Sequence, residues 1–318
     1  MNKPSKRHLP KSNERRLEDI AVQEDSTDLR TRAMLIRLTA GMWRGKGRDD
    51  SVSDELRERA GGKGKVGTFT KHYMDPEVVS KIEQTYWNAR RYHRSITLPW
   101  GDDLKRLLAS QSFFAYKQTM AKFEREFWMH VDEYVRNYRS NVQAQRVRLG
   151  KMWRESDYPS EQEVRGMFRF AVLVEPIPTS DDFRLSLSQD EEKDLKRAYD
   201  EEMRARMKGA VQDVFDNIRD TVETLQGKLA DPDANIRSTT FGALRKLVAT
   251  LPQLNSIVQD PNITALGKQI AETLLDVDVD AVAHDSRVRK ATKSKADTLL
   301  DALKPLQQAW SVAPATPQ

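Results

Sequence analysis

The 318-residue chain has no cysteine, which excludes disulfides, thiolate metal sites and a cysteine nucleophile, and fits a reducing compartment. Long hydrophobic runs are also missing. No stretch approaches 18 apolar residues, so no membrane-spanning helix is expected, and the first residues lack the apolar segment of a signal peptide. A cytoplasmic protein is the expectation. Hydrophobic residues make up only 38% of the chain against 32% charged, and the mean hydropathy is -0.72. That balance is lean for a compact globule and suits long helices with solvated faces.

A large excess of either charge is missing as well: 53 Lys and Arg stand against 48 Asp and Glu, a formal +5. The first 16 residues carry Lys3, Lys6, Arg7, Lys11, Arg15 and Arg16 against Glu14 alone, so the other 302 residues sum to zero. The expectation is therefore a charge-balanced body with a detachable basic arm, and any nucleic-acid affinity of that arm would be salt-sensitive.

What is present is helical periodicity. Residues 1-27 are polar and read as a disordered arm. The run AMLIRLTAGMW (33-43) alternates Met34, Ile36 and Leu38 as a half-buried strand would, and KGKVGTFTKHY offers a second strand. Between them, 54-62 reads as a short helix closed by Gly. Asp75-Pro76 opens a helix with Val78, Ile82, Tyr86 or Thr85, and Ala89 on one face. Two long amphipathic segments follow, 113-149 (about 55 Å at about 1.5 Å per residue) and 189-229, the second capped by Ser188 with Glu191. Their matched lengths predict an antiparallel pair.

Between them, Ser160 caps a short helix. Phe168, Phe170, Val172 and Val174 alternate as a strand, and 183-187 is a partner strand for it. Shorter helices are expected at 234-250, broken at Leu251-Pro252; at 261-275, opened by Asp260-Pro261; and at 278-303, ended by Pro305. The fold class is mainly α: an elongated antiparallel long-helix pair with a small β-sheet element and a C-terminal bundle of shorter helices. The expected organisation is a basic arm (1-27), strand elements with the first long helix and small sheet (28-188), the second long helix with the C-terminal helices (189-306), and a flexible tail (307-318).

No catalytic, cofactor or metal residue is assigned. The five histidines, His8, His72, His93, His130 and His284, have no metal-ligand spacing. The run Asp276, Asp278, Asp280 resembles a calcium loop but has Ala281 where Gly belongs and Arg287 where Glu belongs, so an acidic helix start is the better reading. Asp49, Ser51 and Ser53 have the spacing of a metal-dependent adhesion site, yet RGKGR precedes them instead of a buried strand. The glycine clusters 41-47 and 61-67 do not satisfy the P-loop pattern and read as turns. Two basic clusters remain. YWNARRYHR (86-94) interleaves aromatics with Arg90, Arg91 and Arg94, a mixture suited to bases and phosphates; packing with outward-snorkelling arginines is the competing reading. Arg287, Lys290 and Lys293 lie on neighbouring helical turns just after the acidic run, a candidate partner-docking face.

In order along the chain, Leu35 to Gly47, LGKMW (149-153), DYPSEQEVRGMFRFAVLVEPIP (157-178), DDFRLSL (181-187), a long charged helix and LRKLVATLPQLNSIVQDPNITALGKQIAETL (244-274) resemble a bacterial and phage domain family of unknown function. The resemblance spans about residues 30-275. It implies a companion of MoxR-type AAA+ ATPases and cobaltochelatase-like von Willebrand A proteins, acting in the host cytoplasm if phage-encoded, and it assigns no functional residues. Two functional readings follow: a non-enzymatic phage or mobile-element adaptor engaging such a partner pair, or a nucleic-acid-binding accessory protein using Lys3, Lys6, Arg7, Lys11, Arg15, Arg16, Arg90, Arg91 and Arg94. Neither requires a cofactor, and oligomerisation is open to both.

Overall fold

The computed structural model describes residues 29-64, 66-101, 104-179 and 189-310. The basic arm, the strand expected at 183-187, the Ser188 cap and the last eight residues lie outside the described residues. In chain order the elements are β1 (Ala33–Gly41), β2 (Lys46–Asp49), α1 (Asp50–Arg59), β3 (Phe69–His72), α2 (Pro76–Ser95), β4 (Thr97–Pro99), β5 (Arg106–Ala109), α3 (Phe113–Arg136), α4 (Tyr138–Leu149), α5 (Glu161–Gly166), β6 (Arg169–Glu175), α6 (Gln189–Ala230), α7 (Gly242–Val258), α8 (Pro261–Ile270), α9 (Val279–His284) and α10 (Ser286–Trp310). The fold is mainly α with a small antiparallel sheet.

The chain forms two compact units that interleave in sequence. Among the described residues, the first takes in those up to Arg37, Ser95–Phe113 and those from Val174 on; the second takes in those of Leu38–Arg94 and Phe114–Leu173. The larger sheet has the strand order β4-β5-β1-β6, and a separate hairpin pairs β2 with β3. Ala33 to Ile36 of β1 pair antiparallel with Ala109 to Arg106 of β5. Farther along β1, the Thr39 hydroxyl donates to the Ala171 carbonyl.

An antiparallel long-helix pair is present in the first unit, made by α6 and α10. Gln226 Nε2 donates to Asp297 and Gln307 Nε2 to Asp216, so the two helices run in opposite directions. The expected partner, the 113-149 segment, belongs from Phe114 on to the second unit. An apolar stripe demands a partner without specifying which one, and here Val214, Phe215, Ile218 and Val222 share a core with Leu244 and Ile263 as well as Leu299 and Leu303. The 113-149 segment is itself two helices. They part at Asn137, whose side-chain amide donates back to the Glu133 carbonyl, the local competition that makes Asn a poor helix-interior residue.

Other boundaries also move. Helix α7 runs through Pro252 and α10 through Pro305, where sequence reading ends or breaks each helix. Buried Leu251, Leu254 and Ile257 hold α7 across its missing amide, and Leu299 and Leu303 anchor α10 ahead of Pro305. The expected helix over 278-303 is divided instead at Asp285, whose carboxylate accepts from the Arg287 and Val288 amides and restarts the chain as α10. Strand β1 is buried on both faces rather than one, with Ala33 and Leu35 in the first unit's core and Ile36 and Leu38 also buried. Two caps stand where expected: Ser160 and Glu163 form a capping box on α5, and Asp260 caps α8 with Pro261 in its first turn.

Candidate nucleic-acid interface

The second unit holds most of the polar chemistry that the sequence points to. Its aromatic core is built on α3: Phe127 packs against Phe168 and Phe170, and Tyr134 against Phe168, Tyr138 and Trp43. Burial raises the Tyr138 hydroxyl to a pKa of about 12, with Tyr158, Glu161 and Glu163 adding to the shift. Helix α2 lies on this core through Val79, Ile82, Thr85, Ala89 and His93. Thr85 thus takes the inward position left open with Tyr86. His93 Nδ1 meets the Tyr116 hydroxyl at 2.9 Å, while Tyr92 stacks on Tyr116 and tilts against Phe123.

The outward side of α2 is basic and aromatic. Trp87 is 44% exposed. The Arg90 guanidinium lies 5.2 Å from its ring centroid, Tyr86 flanks it, and Arg91 and Arg94 are exposed. Packing therefore claims Tyr92, Ala89 and His93, and leaves Trp87, Arg90, Arg91 and Arg94 at the surface. The helix thus divides the segment between two faces as the packing reading has it, with Ala89 inward and the arginines outward, and with Thr85 rather than Tyr86 buried.

The glycine cluster 41-47 serves packing. Gly45 has φ +56 and sits so close to buried Met74 that a Cβ would overlap the Met74 Cβ, and a Cβ on Gly47 would overlap the Tyr73 hydroxyl. Gly45→Ala is expected to destabilise the second unit by about 2 kcal/mol, from left-handed backbone and overpacking together, read as a lowered Tm.

Next to this turn lies a buried ion cluster that sequence reading misses. Lys71, in β3, is 1% exposed; its Nζ lies 2.5 Å from Asp157 Oδ2 and 3.8 Å from Asp49 Oδ2. Asp49 ends β2 and caps α1. Its Oδ1 accepts from the Ser51 hydroxyl and the Val52 amide, while the Ser53 hydroxyl donates to its carbonyl. Arg154 donates to the Ser51 oxygen. The Asp-x-Ser-x-Ser spacing is thus a helix cap turned toward a lysine ammonium. The Ser51 hydrogen bond, opposed by burial and helped by Val52, Arg154 and Lys71, holds the Asp49 carboxyl below the usual carboxylate range. Among the described residues no three His, Cys, Asp or Glu side chains gather as a metal set.

The remaining candidates fall in the first unit. Asp278 caps α9 by accepting from the Asp280 and Ala281 amides, so the acidic run is a helix start. Arg287 and Lys290 are exposed on α10, whereas Lys293 pairs with Asp297 at 2.8 Å and is half-buried. Lys3, Lys6, Arg7, Lys11, Arg15 and Arg16 lie outside the described residues. Among the described residues no helix is long and apolar enough to cross a membrane.

Sorting charge by unit changes the electrostatic picture. The second unit has 23 Lys and Arg against 16 Asp and Glu, a net +7. The rest of the chain after residue 16 has 24 against 31, a net -7. The apparent neutrality of those 302 residues is a cancellation between a basic unit and an acidic remainder.

Comparison with protein-family models, with curated proteins and with solved structures finds no match.

Proposed function

We propose that the chain is a non-enzymatic nucleic-acid-binding accessory protein whose second unit carries the binding surface. The observation behind this reading is the segregation of charge, +7 on one folded unit, together with Trp87 exposed among Arg90, Arg91 and Arg94 on α2. Phosphate neutralisation by such a unit releases counterions, and a half-exposed indole beside guanidinium groups suits contact with a base or a sugar edge. The six basic residues of the arm, Lys3, Lys6, Arg7, Lys11, Arg15 and Arg16, add their charge to the same affinity.

The test is fluorescence anisotropy with a labelled DNA duplex over a salt series. For about six phosphate contacts the log-log slope is expected near about -5. A double variant, Arg91→Gln with Arg94→Gln, should reduce that slope by about two contacts' worth. Absence of binding at low salt would overturn the reading.

A second reading keeps the adaptor role. Between Asp190 and Gly209 no side chain of α6 is fully buried; Met203 and Met207 pack against the first unit's core, and half-buried Leu195 and Tyr199 carry the apolar stripe beyond it. A half-buried stripe on an acidic helix suits a helical protein partner. On the resemblance above, that partner is an AAA+ ATPase with a von Willebrand A protein. Co-purification recovering neither would count against it.

A further inference from the structure

A second basic surface on the same unit lies around α4, outside the basic clusters the sequence reading singled out. From Tyr134 to Arg154 the chain holds Arg136, Arg139, Arg146, Arg148, Lys151 and Arg154 and no acidic residue. Arg139 and Arg146, seven residues apart, lie on one side of α4, while Arg148 turns to the other side and donates to the His72 carbonyl of the β2–β3 hairpin at 2.8 Å. Arg139 is 87% exposed, pairing at the surface with Glu161, and Lys151 is exposed with no partner among the described residues. Cations at such exposure gain little from surface pairing and remain available to an external polyanion.

The aromatic at this surface is already engaged. The Arg146 guanidinium lies 5.1 Å from the Trp153 ring centroid, and Tyr158 stacks on Trp153 at 5.9 Å with 22° between planes. The face therefore offers charge without a free ring for an unstacked base. Helix α4, 12 residues long, spans about 18 Å, close to five base-pair steps of about 3.4 Å.

We propose that Arg139 and Arg146 on one side of α4, with Lys151 just beyond its end, bind the phosphate backbone of duplex DNA without reading sequence. This rests on the nucleic-acid reading above and assigns it a place and a ligand form.

The test compares two triple variants of the full chain. Arg139→Gln, Arg146→Gln and Lys151→Gln neutralise the surface; Arg287→Gln, Lys290→Gln and Lys295→Gln remove the same charge from exposed positions on α10. With a labelled 20-base-pair duplex, the first triple should shrink the log-log salt slope by about 2.7, at about 0.9 per contact. Its affinity near 100 mM salt should fall about tenfold or more, while the second triple stays within about twofold of wild type. All six positions are exposed, so circular dichroism and Tm should match wild type. Equal effects of both triples, no effect of the first while wild type binds, or loss confined to a single-stranded probe would each overturn the inference and leave the broader reading standing. Failure of wild type to bind any nucleic acid at low salt would overturn both.

Discussion

Replacing Lys71 by Met is expected to destabilise the second unit by about 3 kcal/mol, a shift in urea midpoint easily read by circular dichroism. Methionine keeps the apolar stem but removes the ammonium that lies against Asp157 and near Asp49. Asp49 is 6% exposed, so its carboxylate would face Asp157 with Arg154, 4.0 Å away, as the nearest remaining cation. Uncompensated buried charge is costly, whereas removing both partners of a buried pair is far milder. The double variant Lys71→Met, Asp49→Asn should therefore regain part of the loss. An unchanged midpoint in the single variant would mean that the cluster contributes nothing net.

The same cluster sets an acid response. Asp49 titrates lower in the folded state than its ordinary value, with the Ser51 hydroxyl as the leading cause. A carboxylate with a depressed folded pKa contributes stability that is present above its unfolded pKa, about 3.9, and is lost as pH falls through the folded value. Acid unfolding of the wild-type unit should thus become steep below about pH 4. With Lys71 gone, Asp49 loses one of the charges that depress it, so its share of the acid-induced loss should shrink while the onset, set by the unfolded pKa, stays in place.

The other large effect concerns the amino-terminal arm. Deleting residues 1-16 removes the whole formal +5 of the chain, yet duplex DNA binding should persist, because the +7 of the second unit remains. Loss of up to six cations should weaken binding by about one to three orders of magnitude near 100 mM salt, leaving a measurable isotherm at 50 mM. This departs from the expectation drawn from composition, a charge-balanced body with a detachable basic arm.

Local rules made much of the helical framework legible. The Ser160–Glu163 box, the Asp260-Pro261 start and the α2 face follow from caps and three- to four-residue spacing. Strands β4 and β5, three and four residues long, are too short for alternation to register. Pro252 and Pro305 misled because buried leucines outweigh a missing hydrogen bond. The partner of α6 was illegible, since an amphipathic stripe carries no address.

The candidate site was legible in part. Arg90, Arg91 and Arg94 were visible as a motif, but the division of their helix between core and surface depends on Thr85, Ala89 and His93 turning inward together. The Lys71–Asp157 contact joins residues 86 positions apart, beyond any spacing rule. The charge segregation escaped notice because the second unit is assembled from two separated segments, each modestly basic, and a sum over contiguous sequence averages them with acidic neighbours.

The central claim is that the folded second unit, not the arm, is the principal nucleic-acid surface. Its most direct test is the salt dependence of duplex DNA affinity for the chain lacking residues 1-16. A log-log slope of about -3 or steeper is predicted for a folded face making at least three to four phosphate contacts. A flat slope, or no binding at 50 mM salt where the full chain binds, would contradict it.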